Sequence, residues 1–245
     1  MRILDALNVH YRDLNKIVKE LINSGESEII LKNVHGQRYI GAGAKGNHKL
    51  IIEGIPGNDM AAYMDGLTIS IKGNAQDAVG NTMNSGRIIV YGNAGDIVGY
   101  AMRGGEIFIL GDVGYRVGIH MKEYEDKKPV IVIGGKAGDF LGEYMAGGII
   151  IILGLNTSDA EDSIGNFCGI GMHGGTIYVR KHVNINKLGK EVIAVEASME
   201  DICIIAGYVK KFSHFFNIDF HSVMKEKFIK LYAHDSRPYG KLYAY

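Results

Sequence analysis

The chain has 245 residues, 47% of them apolar, and its 27 basic and 27 acidic residues leave no formal net charge. That is enough for one large or two small domains with a real core, and the charge balance gives no electrostatic footprint for nucleic acid or an anionic membrane. The 34 glycines against 3 prolines favour short strands with tight turns, and 2 cysteines without a CxxC pair suit a reducing cytoplasm.

The opening stretch, MRILDALNVHYRDL, lacks the apolar core of a signal peptide. From Asp13 to Asn23 the spacing puts Leu14, Ile17, Val18, Leu21 and Ile22 on one helical face, with Asp13 as N-cap and Gly25 as stop. Residues 1–27 thus read as an N-terminal helical cap. From Glu28 the pattern changes to β-type runs punctuated by glycine, and residues 28–195 read as one β domain. Its longest apolar run, GGIIIILGL, is too short to span a bilayer. After Glu196, SMEDICIIAGYVKKFSHFF predicts a helix capped by Ser198, with Met199, Ile202, Cys203, Ala206, Val209 and Phe212 at helical spacing. A shorter amphipathic stretch, Ser222 to Tyr232, and an aromatic tail, RPYGKLYAY, complete a C-terminal helical segment over 196–245.

The β domain repeats itself. The unit G-x-x-G-x-x-x-G-x-x-M occurs in full at Gly92–Met102, Gly111–Met121 and Gly135–Met145. Three further copies carry one replacement each, Ala61 before Met64, Gln76 before Met83, and Asp162 before Met172. Starts are 19 residues apart three times, and the last two intervals are lengthened by KEYEDKKP and LNTSDAED. A unit this short cannot bury its own apolar face, so units must stack and share a core, each adding ~4.8 Å. Stacking aligns Met60, Val79, Val98, Val117, Leu141 and Cys168 in one inward column and Met64, Met83, Met102, Met121, Met145 and Met172 in another. In the strands, Ile88 and Val90, Ile107 and Ile109, Ile131 and Ile133, Ile150 and Ile152, and Ile177 and Val179 alternate inward. Arg87, Tyr91, Glu106, Tyr178 and Arg180 point out. The fold expected is an all-β solenoid with helical ends, its glycines acting as corners.

No catalytic constellation is legible. Gly41–Gly43–Gly46 and Gly169–Gly171–Gly174 match G-x-G-x-x-G, but β-type runs follow both where a dinucleotide site needs a helix. Asp77, Asp96 and Asp139 share a repeat position with Asn58, Tyr115 and Asn166, and corner chemistry explains them better than calcium. The 9 histidines include no HExxH and no HxxxH pair, and Cys168 on the inward column reads as a structural thiol. Catalytic, cofactor-binding and metal-binding residues are all expected to be absent.

The six tandem units, together with NVHGQRYIGAG before them (Asn33, Arg38, Gly41), resemble the GXGXG domain at the C-terminal end of glutamate synthase large subunits. The resemblance spans Asn33 to Arg180. It implies a right-handed parallel β-helix with a mainly structural part in glutamate biosynthesis and nitrogen metabolism, packed against amidotransferase and FMN-binding synthase domains. Stand-alone forms occur as separate subunits, and the repeat also appears in one of the subunits of formylmethanofuran dehydrogenase. The expectation is a non-catalytic scaffolding subunit with no cofactor of its own. FMN and an iron–sulfur cluster would belong to its partners, a synthase chain and a glutamine amidotransferase chain, with a homo-oligomer as a further option. The alternatives are a scaffold of the formylmethanofuran dehydrogenase kind, or an independent β-helix enzyme or ligand-binding protein. The two insertions and the tail Tyr239 to Tyr245 are expected to mark partner-facing or self-association surface, against the plainer reading of the insertions as solvated loops.

Overall fold

The computed structural model describes residues 1–158 and 161–234. Eleven strands make one sheet. In chain order they are β1 (Arg2–Asp5), β2 (Glu28–His35), β3 (Lys49–Ile55), β4 (Asp65–Ile71), β5 (Ser85–Val90), β6 (Glu106–Ile109), β7 (Val130–Ile133), β8 (Ala146–Ile152), β9 (Gly174–Arg180), β10 (Val192–Glu196) and β11 (Phe228–Ala233). Strands β1 to β9 pair in parallel with their sequence neighbours. Ile88, Ile107, Ile131, Ile150 and Ile177 stand in register across five of them. From β2 to β9 the connections hold no helix, and parallel neighbours joined in this way are a β-solenoid, here of about 6 turns.

Each coil has three walls: a strand, a single-residue bridge ladder through Ala94, Val113, Ala137 and Ile164, and a double turn. Every wall contributes an apolar side chain to one continuous core. Both expected columns are inside: Met60, Val79, Val98, Val117, Leu141 and Cys168, and the six methionines from Met64 to Met172, are all at most 1% exposed. The inward strand alternation from Ile88 to Val179 also holds. Burial of each such side chain is worth roughly 1.5–3 kcal/mol.

The outward strand positions divide the sheet in two. On β2 to β5 they include Lys32, Glu53, Ser70 and Arg87, and none of these is buried. In one outward register row, Ile89 of β5 and Phe108, Val132, Ile151 and Tyr178 of β6 to β9 are all buried. Helix α2 (Met199–Phe216) lies over this second group through Ile205, Val209 and Phe212, and the short α3 (Phe220–Met224) adds Val223. The C-terminal helix therefore covers a side of the solenoid. The end beyond β9 is closed by β11 and β10, both antiparallel, with Leu231 in the main core. At the other end α1 (Tyr11–Asn23) inserts Leu14, Val18 and Ile22 into that core, and β1 adds a strand beyond β2.

Local differences from the sequence expectations have identifiable causes. The N-cap of α1 is His10, whose side chain accepts from the Arg12 N–H, so the helix starts before Asp13. Its stop is as expected: Gly25 has φ +85°, and the N–H groups of Gly25 and Glu26 reach Ile22 O and Leu21 O in a Schellman closure. Ser198 caps α2 in a reciprocal capping box with Asp201. Of the expected face of α2, Val209 and Phe212 are buried and Ile202 packs beside them, but Met199 is 80% exposed and Cys203 is exposed, while Asp201 is buried instead. The Ser222–Tyr232 stretch splits between α3 and β11, because its second half meets the open edge of β9.

Candidate functional site

The Asp and Asn columns are the first place to look for chemistry, and the stack consumes them. Asn74 Oδ1 accepts the Asn93 N–H, and Asn93 Oδ1 accepts the Asp112 N–H, both at 2.9 Å. Likewise Asp77 Oδ1 accepts from Asp96 N, Asp96 Oδ1 from Tyr115 N, and Asp139 Oδ1 from Asn166 N. Each carboxylate or amide oxygen thus caps an amide one coil later. The next coil must leave room for it. A Cβ on Gly95, Gly111, Gly114 or Gly135 would overlap Asp77, Asn93, Asp96 or Asp112 Oδ1. In these copies the G-x-x-G is therefore the imprint of the preceding coil's Asp and Asn side chains, and at Gly54, Gly57, Gly73 and Gly138 that of its backbone.

The double turn explains the remaining glycines. In each coil two hydrogen bonds of the i→i+3 kind follow one another, such as Ala62 N to Asp59 O and Met64 N to Ala61 O. Three alternate residues then take left-handed backbone, for example Tyr39, Gly41 and Gly43 at φ +62°, +72° and +65°. The same trio recurs at Asp59–Ala61–Tyr63, Ala78–Gly80–Thr82, Ile97–Gly99–Ala101, Arg116–Gly118–His120, Phe140–Gly142–Tyr144 and Phe167–Gly169–Gly171. At the middle position a Cβ would also strike the core, 2.7 Å from Ile107 Cδ1 for Gly80 and 2.7 Å from Ile177 Cδ1 for Gly142. A run of glycine-type backbone at every second residue is G-x-G-x-G in its structural sense. The sequence matches the family model described as GXGXG motif over residues 18–235. The chain belongs to the GXGXG motif family. It is also 45% identical over 249 residues to the uncharacterized protein MJ1350 of Methanocaldococcus jannaschii, covering 98% of this chain and 95% of that one.

The other candidates of this GXGXG chain resolve as follows. Both G-x-G-x-x-G matches lie at double turns that run on toward strands β3 and β9. The N–H groups of Gly43 and Gly46 already donate to Ala62 O and Asp65 O, so this loop presents no free amide cradle there. Among the described residues no group of three or more His, Cys, Asp or Glu side chains is placed to hold a metal. Burial pushes the Cys168 thiol up to about 12, far from a nucleophile's range. Among the described residues no helix is long and apolar enough to cross a membrane.

Two features were not visible in the sequence. The first is a buried polar network under α2. Asp201 Oδ1 accepts from Tyr178 Oη at 2.7 Å and Lys230 Nζ at 2.8 Å, while Oδ2 accepts from Ser198 N and Oγ. Burial opposes the Asp201 charge, but the bonds from Lys230, Tyr178 and Ser198 outweigh it and hold the carboxyl well below its usual range. Burial, and then the bond to Asp201, pushes the Tyr178 phenol above its usual range. The network is an anchor: Asp201 receives bonds from β9, β11 and the start of its own helix.

The second is an aromatic wall. Tyr39, Tyr63, Tyr100, Tyr115, Tyr144 and Phe167 are 37–59% exposed and all lie on the double-turn wall; elsewhere Tyr124 alone is comparable among the described residues. Rings of successive coils touch. His120 stacks on Tyr144 at 5.4 Å and Phe140 on Phe167 at 5.1 Å, with the Arg116 guanidinium 4.7 Å over Phe140. The signal was present as shared repeat positions (Tyr63, His120 and Tyr144; Tyr39, Phe140 and Phe167), but only the coil geometry turns those positions into one surface.

Proposed function

We propose that this chain is a non-catalytic scaffolding subunit of a glutamate-synthase-like oxidoreductase. In this reading the chain binds no cofactor of its own. FMN and an iron–sulfur cluster sit in a partner synthase chain, and the glutaminase chemistry sits in an amidotransferase chain. The observation that supports it is the consumption of the polar columns by the stack itself, which leaves the repeat region rigid and chemically quiet while one wall displays exposed aromatics. Aromatic residues are enriched at protein interfaces, and contiguous exposed apolar surface marks partner sites. The aromatic wall is the surface we assign to the synthase chain. The insertions KEYEDKKP and LNTSDAED and the tail Tyr239–Tyr245 are secondary candidates, although Asp159, Ala160 and the tail lie outside the described residues. The first insertion is tied to its neighbours, with Glu123 Oε1 accepting from Gly148 N and Arg103 placed over the Tyr124 ring.

The test is co-purification of the intact chain with the products of neighbouring genes, alongside activity assays on the chain alone. Capture of a flavin-containing synthase chain, with no glutaminase or glutamate synthase activity in the isolated protein, is the expected result. Capture of a formylmethanofuran dehydrogenase chain instead would favour a scaffold of that second kind. Substrate turnover by the isolated chain would rule out the scaffold.

A further inference from the structure

Where α1 crosses the first coil it leaves a half-open cavity of about 630 Å³. The floor on the coil side is Gly41, Ala42, Gly43 and Ala44, and Val18 and Ile22 of α1 line the opposite side. The hollow has a specific origin. The third left-handed position of the double turn carries Tyr63 one coil later and Tyr144 further on, but Gly43 here, and a Cβ on Gly43 would meet nothing within 4 Å. The coil therefore carries no side chain at a position where Tyr63, His120 and Tyr144 of later coils bear rings.

The rim has one sign of charge. Arg12, Lys16, Lys19 and Lys45 line the cavity, and no Asp or Glu does. Lys49, Lys128, Lys136, Lys187, Lys211 and Lys230 each face a carboxylate. Among the described residues Lys16, Lys19 and Lys45 face none. The lining is therefore a local concentration of cations over an apolar floor, with Asp13 and Glu20 of the same helix outside it. Two rings complete the wall, Tyr11 and Tyr39, 6.0 Å apart, with Arg12 and Arg38 guanidinium groups 5.8 and 5.7 Å over Tyr11.

We propose that this cavity binds a small organic anion with a planar aromatic body. The ring packs on the Gly41–Ala44 floor beside the Tyr11–Tyr39 pair, whose rings are already in contact, and the phosphate or carboxylate group reaches Lys16, Lys19, Lys45 and Arg12. The volume is that of a small-molecule site. The cations gain from an anion that the cavity walls partly shield from water. Openness on the rim side favours an exchangeable ligand over a resident cofactor. The inference does not rest on the scaffold reading, although Tyr39 belongs both to this cavity and to the aromatic wall.

The experiment uses the isotope-labelled full chain and follows amide resonances on titration with phenyl phosphate, adenosine monophosphate and phenylacetate. Adenosine and inorganic phosphate serve as probes carrying only one half of the recognition. Saturable shifts at Gly41–Lys45 and along the Arg12–Lys19 face are expected from at least one ring-bearing anion, with adenosine and inorganic phosphate at least about tenfold weaker. A preference for the two phosphate esters over phenylacetate assigns the phosphate class; the reverse assigns carboxylates; equal affinity supports the shared chemistry. Gly43→Tyr fills the hollow with the residue the next coil already holds at nearly the same φ (+57° at Tyr63, +65° at Gly43). It should lower affinity at least about tenfold. The Lys16→Glu, Lys19→Glu double variant changes only exposed side chains and should do the same, so the test survives if Gly43→Tyr fails to fold. No saturable shift from any probe at about 10 mM, binding undiminished in the lysine double variant, or adenosine binding as tightly as its monophosphate would overturn the proposal.

Discussion

Gly95 has no side chain because Asp77, one coil earlier, already occupies the space a Cβ would take. The Asp77 oxygen cannot retreat without giving up its 2.9 Å bond from the Asp96 N–H. Gly95→Ala should therefore cost about 1–3 kcal/mol, as small-to-large changes in packed sites do. In an Asp77→Ala background the same change should cost less, with a coupling energy of about 0.5–3 kcal/mol from a double-mutant cycle in urea. Additive single effects would dissociate the glycine from the carboxylate column. A second test addresses the core. Met102 is completely buried in the methionine column, and Met102→Ala should cost about 2–5 kcal/mol in the same denaturation assay. A loss below about 1 kcal/mol would mean that the column is not close-packed.

Between elements, the contact that sets the rotation of α2 is polar. Its sequence is apolar almost all round, so spacing alone offers several faces. Asp201 selects one, by meeting Tyr178 of β9 and Lys230 of β11 while capping its own helix through Ser198. Because the folded pKa of Asp201 lies below its unfolded value, the unfolded chain takes up the proton first as pH falls. The stabilisation is complete above the unfolded value of about 4 and declines progressively below it. Asp201→Asn should cost about 1–3 kcal/mol at neutral pH, and the gap between variant and parent should narrow as pH drops below about 4. A gap independent of pH down to the acid transition would show that the Asp201 charge contributes nothing to anchoring α2.

At the scale of the whole molecule, strands and helices cover both ends of the solenoid and α2 shields one side, and among the described residues most of the exposed Tyr and Phe side chains gather on the double-turn wall. Replacing Tyr63, Tyr144 and Phe167 together by asparagine, which tolerates the left-handed backbone at all three, should cost about 0.5–1.5 kcal/mol for each of the two ring stacks lost, on His120 and Phe140, and leave the fold intact. The same triple variant should lose capture of the synthase chain in co-purification. Undiminished capture would move the interface elsewhere, with the insertions and tail next in line.

What could be read from the sequence follows from its period. Nineteen-residue spacing fixes which side chains share a column, so the solenoid, the methionine and valine columns and the inward isoleucines were legible before any coordinates. Local caps such as Gly25 and Ser198 were legible too, because each acts through hydrogen bonds within a few residues. Other features depend on contacts between distant segments. The extra strand β1, the β11 strand in what spacing read as part of an amphipathic stretch, the Asp201 anchor and the second core under α2 all join residues far apart in the chain. The reason for the first and second glycines belongs here as well: a side chain is excluded by the preceding coil, through its Asp or Asn at Gly92, Gly95, Gly111, Gly114, Gly135 and Gly165 and through its backbone at Gly54, Gly57, Gly73 and Gly138. The candidate cavity is of the same kind. Its glycines were visible as a motif and its lysines as scattered charges, but only the placement of α1 across the first coil brings an empty left-handed turn, two tyrosines and four cations around one volume. Periodicity in the chain determines the stack, because stacking is how a short repeat buries itself; the surfaces available for binding are decided by what the non-repeating ends lay over it.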